Sequence, residues 1–301
     1  MNRMSFSTDS QWSEMKKDRA CMLISCPDQP GIVAAVSRFL HEHGANIVQS
    51  DQYTMDPEGG MFFIRIEFDL LELDRRLETL MLDFSQVVAH KFKMNWRVSQ
   101  ESRKKRLAIF VSKEDHCLLE LLWQWQAGDL NADIAMVVSN HQDMREIVET
   151  MGIAYHYVPV TAETKQEAEE QHLKLMAGSE VDCIVLARYM QIIPAKFIEQ
   201  YANRIINIHH SFLPAFVGGK PYAQAHNRGV KIIGATAHYV TEELDGGPII
   251  EQDVQRVSHR DDVHDLKRIG RHIERIVLAR AVAWHVEDRI LVHENKTVVF
   301  N

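Results

Sequence analysis

Apolar positions along the chain fall into two successive patterns, divided by one polar stretch. From residue 19 to 98 the order reads β-α-β-β-α-β. A short apolar run over 21–25 predicts a strand, which Pro27-Asp28-Gln29-Pro30-Gly31 ends, Pro30 being suited to a helix start. Ile32, Val33, Val36, Phe39 and Leu40 then recur at helical spacing until Gly44. Runs over 47–54 and 61–68 predict strands, split by the turn signal Asp56-Pro57-Glu58-Gly59-Gly60. Leu73, Leu77, Leu80 and Met81 mark one stripe of an amphipathic helix over 73–88, and 92–98 closes the unit as a strand.

Past the polar residues 99–106, strands alternate with helices. Strands are expected over 107–111, 134–138, 155–158, 183–186 and 205–208, and helices over 116–127, 144–151, 164–177 and 194–201. Further strands over 231–240 and 248–253 precede a last helix over 262–285. Such alternation favours a Rossmann-like, mostly parallel sheet flanked by helices, so the whole chain reads as α/β. The expected organisation is a polar tail (1–18), a first domain (19–98), a linker (99–106) and a second domain (107–301).

Composition narrows the setting. The 301 residues are 46% hydrophobic and 25% charged, the balance of an ordinary globular protein with enough apolar material for two cores. No apolar run is long enough for a bilayer, and the first 17 residues carry no apolar signal core, so a cytoplasmic protein without membrane contact is expected. A net charge of -8 gives no general attraction for nucleic acid, and Arg103-Lys104-Lys105-Arg106 reads as a solvated linker. The four cysteines form no C-x-x-C pair, which suits a reducing compartment.

Two polar constellations stand in apolar surroundings. In Ile205-Ile206-Asn207-Ile208-His209-His210-Ser211-Phe212-Leu213-Pro214 a buried strand ends where Asn207 and His209 occur, two residues apart and so on one face. An amide can donate to a developing oxyanion and an imidazole can move a proton near neutral pH. Taken alone, an Asn-x-His pair favours the plainer role of satisfying backbone groups at a strand end. In His238-Tyr239-Val240-Thr241-Glu242-Glu243-Leu244-Asp245-Gly246-Gly247-Pro248, Asp245 precedes a sharp turn. There a carboxylate could orient an imidazole, or simply form the turn.

Together the two segments resemble the formyltransferase family that uses 10-formyltetrahydrofolate. The carrying residues are Asn207 and His209, Ser211 to Pro214, His238, and Leu244 to Pro248, with Leu186-Ala187-Arg188-Tyr189-Met190 matching a segment that lines the folate pocket. The resemblance covers about residues 106 to 285. It implies Asn207, His209 and Asp245 as catalytic residues. It implies Leu186, Met190, Gln191, Ile193, His238, Thr241 and Glu242 as the folate-binding set, Gln191 and Ile193 departing from the commonest family residues.

The first domain resembles an ACT domain of ferredoxin-like βαββαβ fold, on Cys26 to Val33 and Gly44 to Ile47. That resemblance implies an amino-acid effector near Asp28, Gly31 and Asn46, or alternatively a unit that only builds a homo-oligomer. ACT and formyltransferase-like parts in this order resemble the formyltetrahydrofolate deformylase family over nearly the full chain. The implied reaction is hydrolysis of 10-formyltetrahydrofolate to formate and tetrahydrofolate, supplying formate for purine synthesis and balancing one-carbon folate pools. Water is the co-substrate, with no prosthetic group and no metal.

The nearest rival is a formyltransferase with an unidentified amine acceptor. Against it, the stretch Val111-Ser112-Lys113-Glu114-Asp115-His116-Cys117 stands where transferases of this family resemble one another in a Gly/Ser-rich phosphate loop, and it has no glycine and two carboxylates. His210 also replaces the proline usual after the catalytic His of transferases. A metal hydrolase drawing on His209, His210, His226 and His238 would need a compact ligand pair such as H-E-x-x-H, which does not occur. A third alternative is an amino-acid sensor with an inert folate domain, against which the intact Asn207, His209 and Asp245 argue.

Overall fold

The computed structural model describes residues 17–56, 59–215 and 221–301, and these group into two compact units that meet in sequence at Lys104 and Lys105. The expected polar tail falls almost wholly on residues 1–16, outside the described residues.

The first unit contains β1 (Arg19–Pro27), α1 (Ile32–Glu42), β2 (Asn46–Thr54), β3 (Met61–Asp69), α2 (Leu73–Phe84) and β4 (Asn95–Gln100). Its sheet has the order β2-β3-β1-β4, with every neighbouring pair antiparallel. Alternate residues Ala20, Met22, Ile24 and Cys26 of β1 and Phe62, Ile64, Ile66 and Phe68 of β3 share one buried cluster with Val36, Phe39 and Leu40 of α1. Each large apolar side chain withdrawn from water in this way contributes roughly 1.5–3 kcal/mol before entropy is counted.

Two details differ from the periodicity. Helix α2 does not stop near 88. It passes into a π turn, Ser85–Ala89, and a last helical turn, His90–Phe92. The wider turn rotates the chain so that Val88, Ala89 and Phe92 all reach the core, and Phe92 therefore ends a helix instead of opening β4. The polar stretch between the units is also shorter than expected, because Ser99 and Gln100 extend β4 while Lys105 and Arg106 open the next strand.

The second unit contains β5 (Lys105–Val111), α3 (His116–Ala127), β6 (Ala132–Ser139), α4 (Arg145–Thr150), β7 (Tyr155–Tyr157), α5 (Lys165–Ala177), β8 (Cys183–Ala187), α6 (Ala195–Gln200), β9 (Ile205–His209), α7 (Pro221–Asn227), β10 (Ile232–Tyr239), β11 (Ile249–Arg256), α8 (Val263–Val286), β12 (Ile290–His293) and β13 (Lys296–Val299). The main sheet runs β11-β10-β9-β8-β5-β6-β7. β5 to β9 pair in parallel, whereas β10 and β11 are antiparallel additions. The short helix α7 and the β12–β13 hairpin carry too little periodicity to be read from sequence.

α8 begins at a capping box. Asp262 accepts from the amides of His264 at 2.7 Å and Asp265 at 2.9 Å, and the Asp265 side chain accepts from the Asp262 amide. The helix then buries Leu266, Ile273, Val277, Leu278, Ala281 and Val282 in the core that also holds β9 and β10.

The chain leaves β5 on one side toward β6 and returns on the other side as β8. This is a topological switch, the place where a parallel sheet opens a crevice beyond the carboxyl ends of its strands. Ser112, just past β5, ties that edge together. Its hydroxyl donates to Asn140 Oδ1 at 2.7 Å and accepts the Met190 amide at 3.0 Å. Among the described residues no helix is long and apolar enough to cross a membrane.

Candidate active site

β9 and β10 bring the catalytic candidates together through their ladder, in which Asn207 pairs with His238 and His209 with Thr236. Asn207 Nδ2 lies 3.2 Å from His238 Nε2, and His238 Nδ1 lies 2.9 Å from the Tyr239 carbonyl oxygen. A carbonyl only accepts, so the His238 proton sits on Nδ1 and Nε2 accepts from the Asn207 amide. One N–H of Asn207 is then left to face the cleft.

His209 follows two residues later on the same face. Its Nδ1 is 3.2 Å from Asp245 Oδ2, and His238 Nε2 is 3.8 Å from Asp245 Oδ1. Asp245 hangs from the loop after β10 with φ at 55°, a left-handed conformation uncommon outside glycine. The next residues let the loop fold back tightly. A Cβ placed on Gly247 would stand 1.8 Å from the Tyr239 carbonyl oxygen, so the close approach requires glycine.

The hydrogen bond from His209 holds the Asp245 carboxyl below its ordinary range, outweighing the opposing effect of partial burial. Burial lowers the pKa of His238, consistent with the neutral tautomer its partners require. Burial, reinforced by the Arg188 charge, lowers His210 to about 4. His209 is only 5% exposed, and its Nε2 has no hydrogen-bond partner among the described residues. Asp245 thus orients an imidazole whose other nitrogen is uncommitted, an arrangement suited to moving one proton.

These groups line one end of a cavity of about 370 Å³, within the size range of small-molecule sites. Asn207, His209 and Asp245 border it, as do Leu186, Met190, Gln191, Ile193, His238, Thr241 and Glu242. Leu186 and Ile193 are buried, whereas Met190 is exposed at the rim. His238, grouped by resemblance with the folate contacts, is almost fully buried against Asn207 and Asp245. Arg188 and Tyr189, within the segment that resembles a folate-pocket lining, also border the cavity, as does Leu244. Arg188 has a left-handed backbone, φ 63°, directly after β8.

The effector candidates do not all meet. Gly31, with φ at 95°, caps α1 near Asp28, whose carboxylate accepts from the Thr54 hydroxyl at 2.7 Å. Asn46 pairs with Asp69 at one end of β3, whereas Thr54 and Pro27 align with Phe62 and Met61 at the other. The length of β3, about 26 Å at strand rise, separates Asn46 from Asp28 within one chain, so the two cannot grip a single amino group there.

Among the described residues two groups of side chains have metal-like spacing, His116 with Cys117 and Glu274, and Asp262 with His264 and Asp265. Neither includes His209, His210, His226 or His238. The first is already tied internally, since His116 Nε2 and Glu274 Oε2 are hydrogen-bonded at 2.8 Å, and the second is the α8 capping box.

The chain is similar to known proteins over most of its length. Residues 22–81 match the ACT domain family and residues 105–282 match the Formyl transferase family. A Bacillus subtilis protein named formyltetrahydrofolate deformylase is 58% identical over 97% of both chains. The crystal structure of a formyltetrahydrofolate deformylase from Pseudomonas syringae superposes with a TM-score of 0.90 at 48% identity, covering 97% of this chain and 98% of that one. A glycinamide ribonucleotide transformylase from Symbiobacterium toebii superposes with a TM-score of 0.63 at 27% identity, covering 69% of this chain and 98% of its own. With an ACT unit, a formyltransferase sheet and full-length relatives of one name, the chain belongs to the formyltetrahydrofolate deformylase family.

Proposed function

We propose that the chain hydrolyses 10-formyltetrahydrofolate to formate and tetrahydrofolate, with Asn207, His209 and Asp245 carrying the reaction. The observation that carries this reading is the convergence of an amide, an imidazole and a carboxylate at one end of a single cavity, with His209 Nε2 uncommitted. The sequence leaves open whether Asp245 or His209 deprotonates the attacking water. The geometry favours His209 Nε2, because Asp245 Oδ2 is already engaged by His209 Nδ1.

His209 Nε2 takes a proton from water while the oxygen bonds to the formyl carbon. The carbonyl oxygen becomes an oxyanion that accepts from the free Asn207 N–H. Asp245 stabilises the imidazolium, which returns its proton to folate N10 as the C–N bond breaks. Formate leaves as a carboxylate and one proton passes to solvent. Leu186 and Ile193 give apolar contact to the pterin, and Met190, Gln191, Thr241 and Glu242 border the rim that closes around it.

Hydrolysis is favoured over transfer by the relatives matched over nearly their full length and by the carboxylates Glu114 and Asp115 in the stretch after β5, which would repel a phosphorylated acceptor. We further read the first unit as an amino-acid effector site at Asp28 to Gly31, the assembly as a homo-oligomer through this unit, and the setting as cytoplasmic. Incubation with 10-formyltetrahydrofolate and no amine acceptor is the test. Equimolar formate and tetrahydrofolate are expected, and tetrahydrofolate that appears only when an amine acceptor is added, with the formyl group on the acceptor and no formate, would overturn the reading.

A further inference from the structure

A second cavity of about 290 Å³ lies beyond Arg188 and His210, the two residues that border both spaces. One wall is a stripe of α8 on which Val263, Lys267, Arg271 and Glu274 recur at helical spacing. The other walls come from Glu114, His116 and Tyr222.

The charges in these walls are unevenly spent. Glu274 is buried, hydrogen-bonded to His116 at 2.8 Å and to the Tyr222 hydroxyl, and 3.4 Å from Arg188 Nε. Burial opposes its ionisation, but these partners outweigh burial and hold it at about 2, so its charge is balanced inside the wall. Glu114 is half exposed and stands 3.9 Å from His116 Nδ1, which has no hydrogen-bond partner among the described residues. Lys267 and Arg271, both exposed, have no ion pair among the described residues. With the Arg188–Glu274 pair set aside, two cations, Lys267 and Arg271, line the cavity against one carboxylate, Glu114.

The cavity also lies next to the chemistry, sharing the walls Arg188 and His210 with the first. The His209 and His210 rings lie 5.2 Å apart between centroids, and the His210 and Tyr222 rings 6.0 Å apart, so a string of rings runs from the catalytic imidazole to the second space. Hydrolysis releases a small monoanion at His209, and the net positive lining suits one. A phosphate dianion would meet more repulsion from Glu114.

We propose that the second cavity is a carboxylate site that receives the formate split off at His209, held by Lys267 and Arg271 with Arg188 at the shared wall. This deepens the hydrolase reading above and rests on it. Formate then departs by a different face from tetrahydrofolate.

The test uses the full chain with 13C-formate and no folate. In the native protein, formate is expected to shift the backbone amide resonances around Lys267 and Arg271, a readout that needs no variant. Lys267→Ala with Arg271→Ala should weaken formate binding at least fivefold, and Glu114→Gln should strengthen it. Shifts confined to the Asn207 and His238 end, a dissociation constant unchanged within twofold in the double variant, or inorganic phosphate displacing formate at lower concentration would each overturn the proposal. Formate binding is measured without turnover, so a protein that fails to hydrolyse 10-formyltetrahydrofolate is recognised separately.

Discussion

Asn207 and His238 face each other across the β9–β10 ladder, with Asn207 Nδ2 3.2 Å from His238 Nε2. The Tyr239 carbonyl at 2.9 Å from Nδ1 leaves this bond one arrangement of protons. An imidazole is thereby used to aim an amide. His238→Phe removes the acceptor while keeping a ring. Partners that orient a reacting group typically contribute 10–100-fold, so kcat for formate release should fall by about that much with KM nearly unchanged. Asn207→Ala, which removes the donor itself, should cost roughly 2.7–4 kcal/mol of barrier. Steady-state kinetics on the two variants checks the order.

Asp245→Asn keeps the shape of the carboxylate but can donate to His209 Nδ1, favouring the wrong tautomer. Loss of kcat on the order of 10⁴-fold is expected, with folate affinity largely kept. The substitution also has a pH signature. The folded-state pKa of Asp245 is depressed by the His209 bond. Its contribution to stability is complete above the ordinary carboxylate value and disappears as pH falls through the lower folded value. Thermal melts should show the native chain losing more stability than the variant in that acidic window.

Gly247→Ala tests the loop. A methyl group 1.8 Å from the Tyr239 carbonyl oxygen must displace either β10 or the loop that carries Asp245. Overpacking of this kind destabilises by about 1–3 kcal/mol, and activity should fall further than stability because Asp245 moves away from His209. Unchanged formate release in a folded Gly247→Ala protein would remove the loop from the argument.

His172 carries an acid sensitivity of a different origin. It is buried beside Phe110 and Tyr189, its Nε2 has no partner among the described residues, and burial lowers its pKa from 6.5 to about 4. Between those values the unfolded chain binds a proton that the folded chain refuses, so stability falls as pH drops from 6.5 toward 4. His172→Phe should flatten that decline, measured as denaturation midpoints across the same range.

How far the sequence reaches depends on the distance over which each interaction acts. β5, β8 and β9 are apolar runs, and the two-residue period alone sets Asn207 and His209 on one face. The turn at Asp245 is local and readable, but its meeting with His209 is tertiary and came from family resemblance. Glu274 reads as one more helical charge, because its partners Tyr222 and His116 lie 52 and 158 residues away. The π turn after α2 was hidden because one extra residue per turn leaves the composition of the segment unchanged. The separation of Asp28 from Asn46 follows from sheet register, which no short motif encodes.

The left-handed backbone at Arg188 gives three consecutive residues three different surroundings. Arg188 stands between the two cavities, Tyr189 is buried beside Phe110 and His172, and Met190 is exposed at the rim. Loop length here therefore matters more than side-chain identity. Deleting or inserting one residue would pass each side chain to its neighbour's surroundings, whereas a point exchange would disturb only one.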